Sequence, residues 1–531
     1  MPNGHAQPAL SDAHLSSALL TRMHRAADLA TRHILTTQRD NGSWLAVPDP
    51  RITETALCTL ALARSPIPGA ARAAERGRAW LATAAPQRHH PVAQAVETAL
   101  LSLALDTGEA VDVGHPAFAD RAFSARARLL QVVALHTARP TRGGAGPAAL
   151  RARLAAAVAA PERLKRWTQV ELWSAHALVE IHFGDRMSAR RAARMIADQQ
   201  SPSGDFFANP VTTALAALVL QAAAPGTAAT RRCAEHLLAG QLPDGTWRFV
   251  TSDVWDTALT LRVFQGAAAF DHHGLPAAVA FLAAAQNPDG GWPYRSGVES
   301  DNDTTAAALI ALAGASGAPG TVIRAGLRHL AGQQTPDGLW RTWQSAGDPP
   351  VDDVIAHVVT ALDRHSGRHR IPLAAARDWL TGRRAEQGRW HAGWYQGPAY
   401  ATAEVLPALD AAAHEGGHPA ARALAETRNP DGGWPVETGG PSTPATTGLA
   451  LAALERGGVL DDAHWLPGLG YLVDTQCADG TWPGVPLMYG PRPLLAHFPT
   501  QNHALAAEGL FAGLRRLHAA AGAAAPAHEA D

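Results

Sequence analysis

QLPDGTW, residues 241–247, is the stretch that decides the fold. Its Asp-Gly pair is a turn signal, because glycine enters the left-handed backbone region at no steric cost. The turn is followed two residues later by a large indole. The same pattern returns as QNPDGGW at 286–292, QTPDGLW at 334–340 and QCADGTW at 476–482. Looser copies are QRDNGSW at 38–44, QSPSGDF at 200–206, EQGRW at 386–390 and RNPDGGW at 428–434. From Phe206 onward the copies fall about every 41–50 residues, a period typical of stacked helical repeats.

An Ala/Leu-rich segment follows several copies. ETALCTLALA starts at Glu54, TTALAALVL at Thr212, DTALTLRVF at Asp256 and TAAALIAL at Thr305. Apolar residues at i, i+3 and i+4 predict helices. Each unit is thus a helix, a turn closed by tryptophan, and a second helix, and such units arranged in a circle give an all-α fold of α/α toroids. The expected organisation is an N-terminal helix over 1–29 that packs on the second toroid, a first toroid over 30–230, a second over 231–518 and a flexible tail over 519–531. The first block holds two copies and the second six. An apolar ligand fits a cleft between two such bodies.

Composition narrows the function. The 531 residues carry 17% charged side chains and a formal net charge of −2, which gives no electrostatic handle for nucleic acid or an anionic membrane surface. Cys58, Cys233 and Cys477 are few and far apart, as expected in a reducing cytoplasm. No apolar run reaches the length of a membrane span. The oligomeric state is left open. Fifteen tryptophans against 5 tyrosines and 11 phenylalanines is the oddity of the composition, and the repeat absorbs many of them.

Residues 291–312 read GWPYRSGVESDNDTTAAALIAL. Within them Asp301, Asn302, Asp303, Thr304, Thr305 and Ala306 spell D-x-D-T-T-A. Together with the Q-x-x-D-G-x-W repeat, this resembles the class II terpene cyclases, the superfamily of squalene–hopene cyclases and copalyl diphosphate synthases. SDVWDTAL around Trp255, GDPPVDDVIAHVV at 347–359 and GWYQGPAYATAEVLPAL at 393–409 are similar to segments of the same family. The first block resembles copalyl diphosphate synthases in QRDNGSW, DPRITETALC and SGDFFANPVTTALAAL. D-x-D-T-T, in place of D-x-D-D-T, is similar to bacterial drimenyl diphosphate synthases.

The resemblance implies two toroid domains, γ (30–230) and β (231–518), and assigns roles. Asp303 is the implied acid that protonates an alkene, since a carboxyl group in an apolar cavity keeps its proton at neutral pH. Asp301 holds its geometry, and Thr304 is at least a helix cap. His357, four residues after Asp353 on one helical face, donates a hydrogen bond to Asp303, with Asp353 orienting the imidazole. Trp255, Tyr294, Trp343, Trp394 and Tyr400, with Phe498 and Tyr489 as looser matches, present aromatic faces to the carbocation. The repeat tryptophans Trp247, Trp292, Trp340, Trp434 and Trp482 are assigned to packing. The isoprenyl diphosphate calls for Mg²⁺ or arginine. Glu54 and Glu97 are the candidate metal ligands, and Arg51, Lys165 and Arg166 the candidate diphosphate partners, with a solvated surface role as the alternative for each basic residue.

DDVIA at Asp352, DDAHW at Asp461 and NDTTA at Asn302 do not match the clusters that ionise a diphosphate, so the diphosphate is expected to stay on the product. The implied reaction is bicyclisation of farnesyl diphosphate to drimenyl diphosphate. Geranylgeranyl diphosphate cyclised to copalyl diphosphate is the alternative within the class. Outside it stand a toroid glycosidase or lyase using Asp301 and Asp303, and a binding scaffold.

Overall fold

The computed structural model describes residues 9–161, 164–343, 348–409, 418–459 and 461–524. Among the described residues most regular secondary structure is helical, and the strands form three ladders of two residues per strand. Two closed rings of helices account for the fold, as the repeat predicts. In the first, the inner helices Ile52–Leu62, Pro91–Leu105, Ser124–His136, Arg166–His182 and Pro210–Ala223 each touch the next, and the last returns to the first. In the second, Asp253–Phe264, Asn302–Leu312, Asp352–Arg364, Pro398–Val405, Pro444–Arg456 and Pro499–Ala524 do the same.

Burial follows from composition. Every residue of Ile52–Leu62 is buried, as is Asp352–Leu362, because an inner helix has neighbours on all sides. Outer helices such as Ala70–Leu81 and Arg186–Ala197 bury an alanine-rich stripe and turn arginines outward. The alanines let inner and outer helices approach closely.

The repeat acts as a staple between outer helices. Each motif tryptophan donates its indole N–H to a carbonyl ten residues upstream: Trp247 to Leu237 (2.7 Å), Trp292 to Leu282 (2.6 Å), Trp340 to Leu330 (2.8 Å) and Trp482 to Leu472 (2.7 Å). These carbonyls lie near the ends of outer helices, where no intrahelical donor is left. The motif glutamine donates to the glycine carbonyl of its own turn and to the next outer helix. Gln286, for example, reaches Gly290 (2.8 Å) and Val322 (2.9 Å). Gly290 has φ +85°, and a Cβ there would stand 2.7 Å from the Ala325 carbonyl oxygen, so the motif requires glycine.

The blocks are not cut where the sequence suggests. Trp44 packs in the second core, with Met23 to Ile34, and Trp247 packs in the first. Gln38 donates to Gly274 and Gln476 to Ala26, so the helix Ala9–Thr36 serves as an outer helix of the second ring. Conversely Gln241 donates to Ala73 in the first ring. Division at residue 230 therefore misplaces one staple on each side. Helix Pro499–Ala524 extends past residue 518 into the expected tail, and residues 525–531 lie outside the described residues. No helix among the described residues is long and apolar enough to cross a membrane.

Candidate active site

A cavity of about 610 Å³ lies between the two rings, lined by side chains of both. Helix starts aim into it. Trp255 is in the first turn of Asp253–Phe264, and Asp303 in the first turn of Asn302–Leu312. Asp301 is the N-cap of the latter helix. Its Oδ1 accepts from the Thr304 backbone N–H (2.6 Å) and its Oδ2 from the Thr304 hydroxyl (2.9 Å). Burial, and then the neighbouring Asp303, pushes the Asp301 carboxyl up to about 8. Asp301 is thus fixed by its cap, and the threonine that replaces an acid is its partner.

Asp303 is buried at the cavity wall. Its Oδ1 meets His357 Nδ1 at 2.6 Å, while its Oδ2 makes no hydrogen bond among the described residues. The other imidazole nitrogen, Nε2, meets Glu404 Oε2 at 3.0 Å. Burial alone would lower the His357 pKa, but Asp303 and Glu404 outweigh it and raise it to about 10. Both ring nitrogens of His357 therefore face carboxyl groups, a setting that favours the protonated imidazole.

Behind it, Arg262 donates to Glu404 at 2.7 and 2.9 Å, and Arg456 stands 3.7 Å from the same carboxylate. Both arginines also pair with Glu508. Burial works to raise the Glu404 carboxyl, yet Arg262, His357 and Arg456 hold it well below the usual range. This corrects the expectation for Asp353. Its Oδ1 accepts from the Gly393 N–H (2.8 Å), and neither oxygen is hydrogen-bonded to His357. Burial and the Asp303 charge push it up to about 7. The residue that orients His357 is Glu404, one turn after Tyr400.

The aromatic wall is mostly as expected. Trp255, Tyr294, Trp343, Trp394, Tyr489 and Phe498 line the cavity. Tyr400 does not. It lies behind Tyr395, stacked at 4.1 Å between ring centroids, with its edge toward His357. Tyr395 takes its place at the wall, its hydroxyl accepting from Trp255 Nε1 (3.0 Å) and donating to Gln501 (2.8 Å). Trp167, unforeseen, packs edge-on to Trp343 at 4.6 Å.

The basic candidates separate. Lys165 lines the cavity, but at the acid end: its ammonium stands 4.7 Å over Trp343, pairs with Asp348 at 3.3 Å, and its charge is felt at Asp301. Arg166 points away, donating to Gln199 (3.0 Å), with more than half of its side chain exposed. Arg51 is buried in an ion pair with Glu54, donating to both of its oxygens at 3.0 and 2.5 Å. The cavity's other basic residues are Arg126 and Arg128, which the sequence did not single out.

The acidic candidates do not form a metal site. Both oxygens of Glu54 are taken by Arg51. Glu97 accepts from the Gln87 backbone N–H (2.8 Å), and burial pushes it up to about 7. Neither lines the cavity. Among the described residues there is no group of three or more His, Cys, Asp or Glu placed to hold a metal ion.

Two packed α/α rings with a buried Asp–His pair facing an aromatic cavity define a class of cyclase, and comparison with known proteins agrees. The squalene–hopene cyclase C-terminal domain model matches residues 194–347 and 343–490. The chain belongs to this family, and so to the class II terpene cyclases. A drimenyl diphosphate synthase of Streptantibioticus cattleyicolor is 32% identical over 331 residues, covering 57% of this chain and 62% of the relative. One from Streptomyces showdoensis is 32% identical over 302 residues, 54% of this chain and 48% of the relative. The chain thus spans only about half to three-fifths of these relatives. The ent-copalyl diphosphate synthase of Streptomyces platensis superposes with a TM-score of 0.55 at 18% identity, covering 93% of this chain and 100% of that one, a likeness of fold.

Proposed function

We propose that this chain cyclises farnesyl diphosphate to a bicyclic, drimane-type diphosphate by protonating the terminal alkene. The observation that carries the reading is Asp303 at the wall of an aromatic cavity, with an imidazolium 2.6 Å from one of its oxygens. An isolated alkene is a very weak base, so the acid must be strong, dry and aimed. His357 donates to Oδ1 and stabilises the carboxylate left behind, while Oδ2 is the oxygen with room to carry the proton. Burial favours a proton on Asp301 as well, but Thr304 engages both of its oxygens, so that proton is held in the cap rather than offered to the alkene. The same engagement counts against an Asp301–Asp303 acid and base pair of glycosidase type.

Proton transfer from Asp303 to the less substituted carbon of the terminal alkene leaves a tertiary cation. Two ring closures move the charge along the chain, past faces of Trp255, Tyr395, Tyr294, Trp343 and Trp394, which attract a cation without capturing it. Loss of a proton from a neighbouring carbon gives the alkene and leaves the diphosphate attached. With Lys165 beside the acid, the diphosphate falls to Arg126 and Arg128. Two relatives named for drimenyl diphosphate support the fifteen-carbon substrate. A cytoplasmic setting is part of this reading, and the three unpaired cysteines, Cys58, Cys233 and Cys477, are compatible with it.

The test is incubation of the purified protein with farnesyl or geranylgeranyl diphosphate and Mg²⁺, then phosphatase and mass analysis. A bicyclic fifteen-carbon alcohol is expected, and its loss in Asp303→Ala. A cyclic product from the twenty-carbon substrate alone would move the assignment to the copalyl reaction, and none from either would end it.

A further inference from the structure

A cyclisation begun by a proton from Asp303 must end with a proton leaving carbon. Besides Asp301 and Asp303, the described lining of the cavity contains one carboxylate, Glu171, and no histidine. Glu171 lies on the helix Arg166–His182, whose residues Thr168, Glu171, Leu172 and Ala175 run along the cavity as one face. Its Oε1 accepts from the Thr212 hydroxyl at 2.8 Å, and its Oε2 makes no hydrogen bond among the described residues. No cation comes within ion-pair distance of it among those residues, although Arg126 and Lys165 act on it from farther away.

Its position also suits the task. Lys165, at the acid end, precedes Glu171 by six residues, which is about 9 Å along a helix at 1.5 Å per residue. Burial pushes the Glu171 carboxyl up, and the Thr212 hydroxyl, Arg126 and Lys165 oppose that shift. A carboxylate in such surroundings is a better proton acceptor than one in water.

We propose that Glu171 is the base that ends the cyclisation. This rests on the reading above. Glu171 Oε2 takes the proton from a carbon adjacent to the final tertiary cation, and the C–H electron pair becomes the ring alkene. The diphosphate stays in place and no co-reactant is consumed. One proton leaves Asp303 and one arrives at Glu171, so the net reaction is an isomerisation. Exchange with solvent resets both groups.

Glu171→Gln keeps the Thr212 hydrogen bond and removes the base. With farnesyl diphosphate, kcat should fall by about 10²-fold or more, the span general bases commonly supply, with KM within about threefold of wild type. The remaining product should shift from one bicyclic alkene toward a hydroxylated bicycle, in which water adds to the cation and loses its proton, and toward alkene isomers. Thr212→Val should shift the product ratio in the same direction by a smaller amount, and it decides the matter if Glu171→Gln does not fold. An unchanged product and rate in both variants would overturn the assignment. So would a raised KM with an unchanged product, which marks a diphosphate or metal role. Complete loss of turnover in a variant with native melting would place Glu171 ahead of the first proton transfer, and overturn it too. A wild-type protein that makes no bicycle refutes the cyclase reading instead.

Discussion

Glu404→Gln tests the acid relay most directly. The substitution keeps the side-chain shape but removes the charge that faces both His357 and Arg262. In the native site Glu404 accepts from His357 at 3.0 Å and from Arg262 at 2.7 and 2.9 Å. A hydrogen bond to a charged group contributes about 1.5–3 kcal/mol. If that support reaches the transition state through His357, kcat should fall roughly 10- to 150-fold, at 1.36 kcal/mol per factor of ten. Arg262 keeps Glu508 at 3.5 Å, so the stability cost should fall near the low end of the roughly 3–5 kcal/mol for breaking a buried pair. The pH profile should change as well. His357 is held at about 10 by its two carboxylates, and loss of one should move the alkaline limb of kcat to lower pH. The assay is single-substrate turnover of farnesyl diphosphate from about pH 6 to 11, with product counted after phosphatase, and Asp353→Asn run in parallel. Asn can still accept the Gly393 N–H, so that variant should lose less. Activity within threefold of wild type for Glu404→Gln, or a greater loss in Asp353→Asn, would refute the relay as drawn.

Four further outcomes follow from the same geometry. His357 should make stability fall with rising pH: its folded pKa of about 10 exceeds the unfolded value near 6.5, so its contribution is whole below about pH 6.5 and lost as pH rises through about 10. Melting temperatures measured across that window should fall more steeply for wild type than for His357→Asn. Glu54→Gln should cost about 3–5 kcal/mol in denaturant unfolding, because it strands Arg51 in the core. The Mg²⁺ concentration giving half-maximal turnover should not change, and a large change would restore Glu54 as a metal ligand. Arg126→Met should raise KM for farnesyl diphosphate about tenfold or more, on the scale of one lost charge-assisted hydrogen bond, and an unchanged KM would remove it as a diphosphate anchor. Trp292→Phe should destabilise the second ring by about 1–3 kcal/mol, since it leaves the buried Leu282 carbonyl without its donor. Equal melting temperatures would count against the staple.

What was legible in the sequence is what short-range chemistry dictates. The Asp-Gly turn and the indole two residues on have one workable geometry, so the helical repeat, the toroids and the packing role of the motif tryptophans could be read directly. Asp303 and His357 could be placed together because the motif around His357 was intact and the one around Asp303 departed only at Thr304. The rest depends on distant partners. QRDNGSW and QLPDGTW look alike, and nothing local says which ring each one staples. Glu404 sits in AYATAEVL, an ordinary apolar helix on paper, and its meaning comes from Arg262, 142 residues away. Asp353 and Glu404 both reach toward the same histidine in a sequence reading, and only the rotation of their helices decides which arrives. A buried glutamate such as Glu54 reads the same whether an arginine or a metal meets it.

The exchanged staples bear on how the chain assembles. Residues 23–44 close the second ring against elements between Gly274 and Leu514, so the earliest part of that ring to be synthesised waits for the latest. The first ring likewise needs Trp247, about two hundred residues after Ile52 begins it. The first ring is nearly complete once Trp247 has left the ribosome, whereas the second must join residues 23–44 to a segment that ends near Leu514, and contacts this far apart in sequence slow folding. Cutting the chain after Trp247 should leave the first ring whole and the second fragment without residues 23–44, with the acid Asp303 in a ring left open.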